Sequence, residues 1–204
     1  MLEMCQLSCM RGIQVLFEDL SFTIFPGDLV QVQGSNGTGK TTLLRIIAGL
    51  KLAESGDVLW YGNSIYREKD EFSRELLFLG HITGVKRDLT AYENLAFYQK
   101  MHGVIDEVCL CEALIRVGLV GREDVPAAKL SAGQNRRIAL ARLWISTSKL
   151  WILDEPLTSI DKEGVKVLEY LFQQHVDNGG MVIFTTHQDI FEGNTMLRRV
   201  RLGV

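Results

Sequence analysis

The residues best suited to chemistry stand in one eight-residue run, Gly34-Ser35-Asn36-Gly37-Thr38-Gly39-Lys40-Thr41, which fills every fixed position of the pattern G-x-x-x-x-G-K-[ST]. Glycines let a backbone wrap closely and turn successive amide hydrogens toward one point, and a helix starting at the loop adds the positive end of its dipole. Such a concavity binds phosphate. Lys40 would then reach the β- and γ-phosphates of a nucleotide, and the Thr41 hydroxyl would ligate Mg²⁺, with Thr42 following in the first turn. A glycine-rich turn ahead of an ordinary helix is the bland alternative, but it requires neither Lys40 nor Thr41.

A second candidate is the carboxylate pair that ends Leu150-Trp151-Ile152-Leu153-Asp154-Glu155. A buried strand running out into acids places them at the edge of a sheet where ligands usually lie. Asp154 there can hold Mg²⁺, directly or through water, opposite Thr41. Glu155 points elsewhere and can orient and deprotonate an attacking water. Taken alone the segment also reads as a strand leaving the core through two solvated acids. With the phosphate-binding loop upstream, the chemical reading gains strength. A third segment, Leu130-Ser131-Ala132-Gly133-Gln134, opens a helix, and Ser131 with Gln134 makes an S-x-x-Q capping box. Capping explains those two residues but does not require Gly133.

The elements that must position these residues are legible in the periodicity. Leu20, Phe22 and Ile24 alternate with Ser21 and Thr23, Pro26-Gly27 turns the chain, and Leu29 to Gln33 alternates again, so residues 1–33 read as strands. The glycine loop follows directly, and Thr41 to Leu50 carries apolar residues at helical spacing. Short strands are expected near 58–61 and 76–79. From about 81 to 145 the period is helical: a Thr90–Glu93 capping box leads a stripe of Leu95, Tyr98 and Met101, a second helix covers about 106–117 and stops at Gly118, and a third runs from Ser131 to Ile145. Lys149 to Leu153 and Met181 to Thr186 are nearly unbroken apolar runs, as in strands buried on both faces. Between them a helix over about 161–177 carries Val165, Leu168, Phe172 and Val176. Strands alternating with helices predict a mainly parallel α/β sheet, with the helix-only block 81–145 inserted as a lobe of a single 1–204 domain whose core lobe is 1–80 and 146–204.

The bulk composition excludes several classes. A chain of 204 residues, 47% hydrophobic, is long enough for one packed core with a modest inserted lobe. Its net charge of −3 gives no basic surface of the kind nucleic acid attracts. No apolar run reaches the length of a membrane span, and residues 1–5 lack the pattern of a signal peptide, so the expected place is the cytoplasm, with any membrane role exercised through a partner. Cys5, Cys9, Cys109 and Cys111 have neither zinc-pair nor redox-pair spacing and read as reduced, small apolar side chains.

These motifs together make the sequence resemble the ABC ATPases along its whole length. Leu130 to Gln134 is similar to that family's signature segment, with Ala132 where glycine is usual. The resemblance implies an α/β P-loop NTPase fold with a RecA-like mixed-sheet core, an N-terminal antiparallel β portion and an inserted helical lobe. It also implies ATP and Mg²⁺ as ligands, and two copies of the subunit sandwiching two nucleotides. The phosphate loop Gly34 to Thr42 of one copy would then face Ser131, Gly133 and Gln134 of the other. His187, in Thr185-Thr186-His187-Gln188, matches the switch histidine that contacts the γ-phosphate, and Ser159-Ile160-Asp161 matches the loop that communicates across the dimer. Lys40, Glu155 and His187 would be the catalytic set. His102 and His175 have no such context and are expected at the surface.

Two positions depart from the family pattern. His81 stands eight residues before Leu89-Thr90, where the family has a glutamine touching water or metal, and imidazole titrates near neutral pH. Arg11 stands where the family places an adenine-stacking aromatic; its guanidinium can stack on a base, and weaker adenine selectivity is the other outcome. Within the family the resemblance is fullest to the ATP-binding subunits of the bacterial cytochrome c maturation system, described as haem exporters. It implies a peripheral subunit on the cytoplasmic face of the inner membrane, docked to integral membrane partners, with haem moved or released from its chaperone. Another ABC transporter is the nearest alternative. An ABC ATPase acting on nucleic acid would carry coiled-coil insertions or tandem domains, and a P-loop kinase would exclude the water that Glu155 activates.

Overall fold

The computed structural model describes residues 1–204 except 102, 104, 159, 189, 192–195 and 204. Two long strands, β1 (Leu2–Arg11) and β2 (Gln14–Ile24), form an antiparallel hairpin, and β1 pairs on its other side with β4 (Ser55–Trp60), which is followed by the short β5 (Asn63–Ser64). A second, wholly parallel sheet has the order β6 (Leu76–Leu79), β7 (Leu150–Leu153), β8 (Met181–Thr185), β3 (Leu29–Gln33), β9 (Leu197–Arg201). Antiparallel and parallel pairings are thus segregated into two sheets. Between β2 and β3 the chain reverses at Phe25-Pro26-Gly27-Asp28. Proline presets φ, Gly27 takes φ 89°, and the Asp28 amide donates to the Phe25 carbonyl, the pattern of a type II turn.

Strict alternation in the parallel strands builds two cores. Leu150 and Ile152 of β7, Met181 and Ile183 of β8, and Val30 and Val32 of β3 face the layer made by α1 (Lys40–Ile47) and the antiparallel sheet. Trp151, Leu153, Val182, Phe184 and Leu29 face the opposite side, against α5 (Ala132–Ile145) and α6 (Lys162–Asp177). Every residue of β7 and β8 is buried, as their continuous apolar runs require. The remaining α-helices among the described residues are α2 (Lys69–Arg74), α3 (Ala91–Met101) and α4 (Glu107–Arg116).

Helices α3, α4 and α5 enclose a third core of their own, with Ala91, Leu95, Leu110, Leu114, Ile138 and Ala141 buried in it. The Thr90–Glu93 capping box is formed: the Thr90 amide donates to Glu93 at 2.8 Å and the Glu93 amide to the Thr90 hydroxyl at 3.1 Å. The expected α3 stripe holds only in part. Leu95 is buried, but Met101 in the last turn is 69% exposed. His175 is a correction to the surface expectation. Its ring stacks on Trp151 with centroids 3.7 Å apart and planes 9° apart, and Nε2 lies 3.2 Å from the Lys149 carbonyl. Burial pushes its pKa below the ordinary histidine value. The ring also explains Gly180, where a Cβ would fall 2.2 Å from His175 Nε2. His102 lies outside the described residues. The four cysteines are free thiols: Cys9 is buried, Cys5 and Cys109 are half-buried, and Cys111 is exposed.

Candidate functional site

In the parallel sheet all five strands point the same way, so the segments leaving β3, β7, β8 and β6 emerge on one edge. Residues 34–39 follow β3, Asp154 and Glu155 follow β7, Thr186 and His187 follow β8, and Gly80 and His81 follow β6. The edge is the C-terminal one, where open α/β sheets take their ligands.

The loop after β3 is shaped by its glycines. Gly37 and Gly39 adopt φ 88° and 97°, a region closed to most side chains. At Gly39 a Cβ would also lie 3.0 Å from Leu16, and at Gly34 one would meet the Thr38 hydroxyl at 2.6 Å. Gly39 is the N-cap of α1 and offers no side chain to that helix's first amides. The contrast within the chain is direct: α4, α5 and α6 are capped by Asp106, Ser131 and Asp161. The start of α1 is therefore left to accept an anion from elsewhere. Lys40 Nζ donates to the Gly34 carbonyl at 2.7 Å and the Ser35 carbonyl at 3.2 Å, so its charge is folded against the loop. Thr41 is exposed and Thr42 is buried on the core side of the helix.

The carboxylates behave differently from one another. Asp154 is 2% exposed, and its Oδ1 accepts the Thr185 hydroxyl at 2.8 Å. The same Thr185 oxygen accepts the Glu155 amide at 2.9 Å, so one buried threonine on β8 fixes both residues after β7. Glu155 has φ 51°, a left-handed backbone that costs a non-glycine residue about 1 kcal/mol or more. Its Oε1 lies 3.4 Å from His187 Nε2 without hydrogen-bond alignment and is otherwise buried without a partner. Glu155 and His187 are thus brought together. Thr41 and Asp154 offer hard oxygen donors, the kind Mg²⁺ takes in small number while keeping phosphate and water ligands. Among the described residues no three His, Cys, Asp or Glu side chains converge on a metal position, so such an ion would depend on the nucleotide.

Ser131 caps α5 as expected. Gln134 N donates to Ser131 Oγ at 3.2 Å and Ser131 N to Gln134 Oε1 at 2.9 Å. A Cβ at Gly133 would meet only that hydroxyl, at 3.9 Å, so nothing within the chain demands a glycine there. His81 is exposed and makes no hydrogen bond or ion pair among the described residues. Arg11, also exposed, ends β1 opposite Gln14, and its hairpin reaches the phosphate loop through Leu16 and Phe17 beside Gly39. Asp161 caps α6 by accepting from Gly164 N, while Ser159 lies outside the described residues.

Two functional-edge residues escape sequence reasoning. Thr185 reads there only as the polar end of a strand. Arg136 is buried on α5, and its guanidinium donates to the Gly80, Asp154 and Glu155 carbonyls at 2.9, 2.9 and 2.7 Å. The available signal was a charged residue on the core-facing stripe it shares with Leu140 and Leu143.

A glycine loop feeding an uncapped helix, beside a buried aspartate and a histidine-paired glutamate, defines a P-loop nucleotide-hydrolysing cassette. Residues 17–158 match the family model described as ABC transporter. Along its full length the chain is 61% identical to the "Cytochrome c biogenesis ATP-binding export protein CcmA" of Aliivibrio fischeri, and 60% identical to the protein of that name in Vibrio vulnificus, covering 100% of each. Among solved structures it superposes on an ATP-binding subunit of an ABC transporter with a TM-score of 0.86 at 23% identity, covering 98% of this chain and 85% of that one. It also superposes on an ABC transporter ATP-binding protein from Pyrococcus furiosus with a TM-score of 0.82 at 26% identity, covering 98% and 96%. A dimeric bacterial ABC transporter cassette gives a TM-score of 0.84 at 20% identity, covering 98% and 94%. The chain belongs to the ABC transporter family, as an ATP-binding subunit. No helix among its described residues is long and apolar enough to cross a membrane.

Proposed function

We propose that this chain is the ATPase of a transporter serving c-type cytochrome biogenesis, working as a nucleotide-sandwiched pair beneath integral membrane subunits on the cytoplasmic face of the inner membrane. The observation that carries the ATPase reading is the convergence of the 34–41 loop, Asp154, Glu155 and His187 on one sheet edge. The amides of Gly34 to Gly39 and the start of α1 hold the triphosphate, and Lys40 swings from its loop carbonyls to the phosphates. Mg²⁺, held by Thr41 and Asp154, would supply charge neutralisation at the β- and γ-phosphates. Glu155 takes the proton of the attacking water, and His187 at 3.4 Å steadies its carboxylate and reaches the γ-phosphate. His81, after β6, contacts the same region through water, and Arg11 with its hairpin borders the base.

Pairing is supported by Gly133, whose missing side chain serves no internal contact and leaves the helix start open to a second copy. Ser131 accepts its own capping bond and so keeps a hydroxyl hydrogen to donate, with Gln134 beside it. The chain is read as one domain, with a core lobe of 1–80 and 146–204 and a helical lobe of 81–145. A cavity of about 450 Å³ between these lobes supports a membrane partner: Arg74, Lys86 and Arg142 line it with Phe97, Tyr98 and Met101, and no carboxylate lines it among the described residues. An acidic, apolar segment of a membrane subunit fits that chemistry. The names of the full-length relatives support the export role, with haem as cargo or as the group released from its chaperone.

Glu155→Gln tests the hydrolytic reading. ATP binding should persist within about twofold, while turnover falls by about 10²-fold or more, the usual worth of a general base. Turnover at the native rate would remove Glu155 from that role. Capture of the partners from detergent-solubilised membranes, with an absorption spectrum for haem, tests the cargo.

A further inference from the structure

We propose that Arg136 is a positioning residue for hydrolysis: its guanidinium, carried on α5, holds the backbone of Asp154 and Glu155 and so sets where the Glu155 carboxylate points. The inference rests on the reading of Glu155 as the base. Three carbonyls from two separate segments converge on this one side chain. Nη1 donates to Gly80 O at 2.9 Å, and Nη2 donates to Asp154 O at 2.9 Å and to Glu155 O at 2.7 Å. The side chain is 8% exposed and forms no salt bridge among the described residues, while its Nε is buried without a partner. Its hydrogen bonds go only to carbonyls, and the Asp154 and Glu155 carboxylates favour its charge from nearby without bonding it. Burying a guanidinium is still a costly way to join a helix to a sheet, since a well-packed apolar side chain does so more cheaply. What the arginine adds is a planar fork able to fix several carbonyls at once.

The fork acts where the backbone most needs it. Glu155 at φ 51° persists only while its surroundings impose that conformation. Thr185 holds its amide from β8 and Arg136 holds its carbonyl from α5, so the residue is gripped on both sides. With the carbonyl released, the backbone can relax and carry the carboxylate away from the attacking water. The same guanidinium reaches Gly80, immediately ahead of the segment whose Thr83, Gly84, Val85 and Lys86 line the interlobe cavity. A shift of α5 or of that segment is therefore passed to Glu155 through one side chain.

The test compares Arg136→Gln, Arg136→Lys and Glu155→Gln in the full-length chain, assayed in its captured membrane complex. A non-hydrolysable ATP analogue gives nucleotide affinity, and steady-state hydrolysis gives kcat and KM. Arg136→Gln should lower kcat by roughly ten- to a hundredfold, as misplacement of a reacting group by about 1 Å does, and leave analogue affinity within twofold. Arg136→Lys, whose ammonium still reaches some of the carbonyls, should recover part of kcat. A purely structural stitch predicts the other pattern, in which affinity and kcat fall together and lysine rescues neither; that pattern overturns the proposal. If Glu155→Gln is inactive and Arg136→Gln turns over at the native rate, positioning by Arg136 is refuted while the base stands. Native turnover by Glu155→Gln refutes the base and the proposal with it.

Discussion

Thr185→Val removes one oxygen and keeps the side chain's shape, which makes it the cleanest perturbation of the carboxylate edge. Thr185 is fully buried and its hydroxyl makes two bonds, accepting from the Glu155 amide at 2.9 Å and donating to Asp154 Oδ1 at 2.8 Å. Valine leaves a part-buried N–H and one oxygen of a 2%-exposed carboxylate without those partners. A lost bond to a charged group costs about 1.5–3 kcal/mol and a buried orphan donor about 1–3 kcal/mol. Recruitment of water by Asp154 offsets part of this, so a loss of about 3 kcal/mol is expected, or about 6–12 °C in Tm for a chain of this size. Thr185→Ser keeps the hydroxyl, loses a methyl, and should cost about 1 kcal/mol. Thermal and urea unfolding followed by circular dichroism supply the stability comparison, and hydrolysis should fall in the valine variant beyond any change in analogue binding. A valine variant that melts within about 2 °C of the native chain and hydrolyses ATP normally would refute the role given to this hydroxyl.

Gly39→Ala forces a Cβ onto φ 97° and to 3.0 Å from Leu16, a strain of about 1–2 kcal/mol at the phosphate loop. Nucleotide affinity by calorimetry should weaken by roughly tenfold, and unchanged affinity would contradict the loop's assigned geometry. His175 gives a pH dependence. Burial holds its pKa below the ordinary histidine value, so the unfolded chain takes up a proton that the folded chain resists. Its stabilisation is complete above about pH 6.5 and is lost as pH falls from there through the depressed folded value. The drop in Tm between pH 7.5 and 5.5 should therefore be smaller in His175→Phe, which can still stack on Trp151, and an equal drop in both proteins would refute the assignment.

Much of this molecule is legible where a signal is local. The glycine pattern at 34–41, the nearly unbroken apolar strands 150–153 and 181–185, and the capping boxes at Thr90 and Ser131 each depend on neighbours within a few residues. Helices α3, α4 and α5 show through their period for the same reason, although residues 81–90, which share the expected helical block, form no helix. What stays hidden depends on distant partners. Arg136 finds its acceptors 56, 18 and 19 residues away, and Thr185 binds groups 30 and 31 residues away. Nothing in a helix or strand period reports such pairings. His175 is hidden likewise, because its surroundings are Trp151, Lys149 and Gly180 rather than its own helix. The short α2 has only six residues, too few for a period, and β9 reads Leu-Arg-Arg-Val-Arg, an edge strand whose exposed arginines mask the alternation. At the functional edge, Glu155 and His187 are separated by 32 residues in sequence, yet the parallel β7–β8 ladder makes them neighbours.

The pairing of two copies across ATP is most directly tested by sedimentation of the Glu155→Gln chain with ATP and Mg²⁺. With hydrolysis stopped, it should sediment as a dimer, and the same chain also carrying Ser131→Arg should bind ATP yet remain a monomer. A Glu155→Gln chain that binds ATP and stays monomeric, or a Ser131→Arg partner that dimerises as readily, would contradict the sandwich.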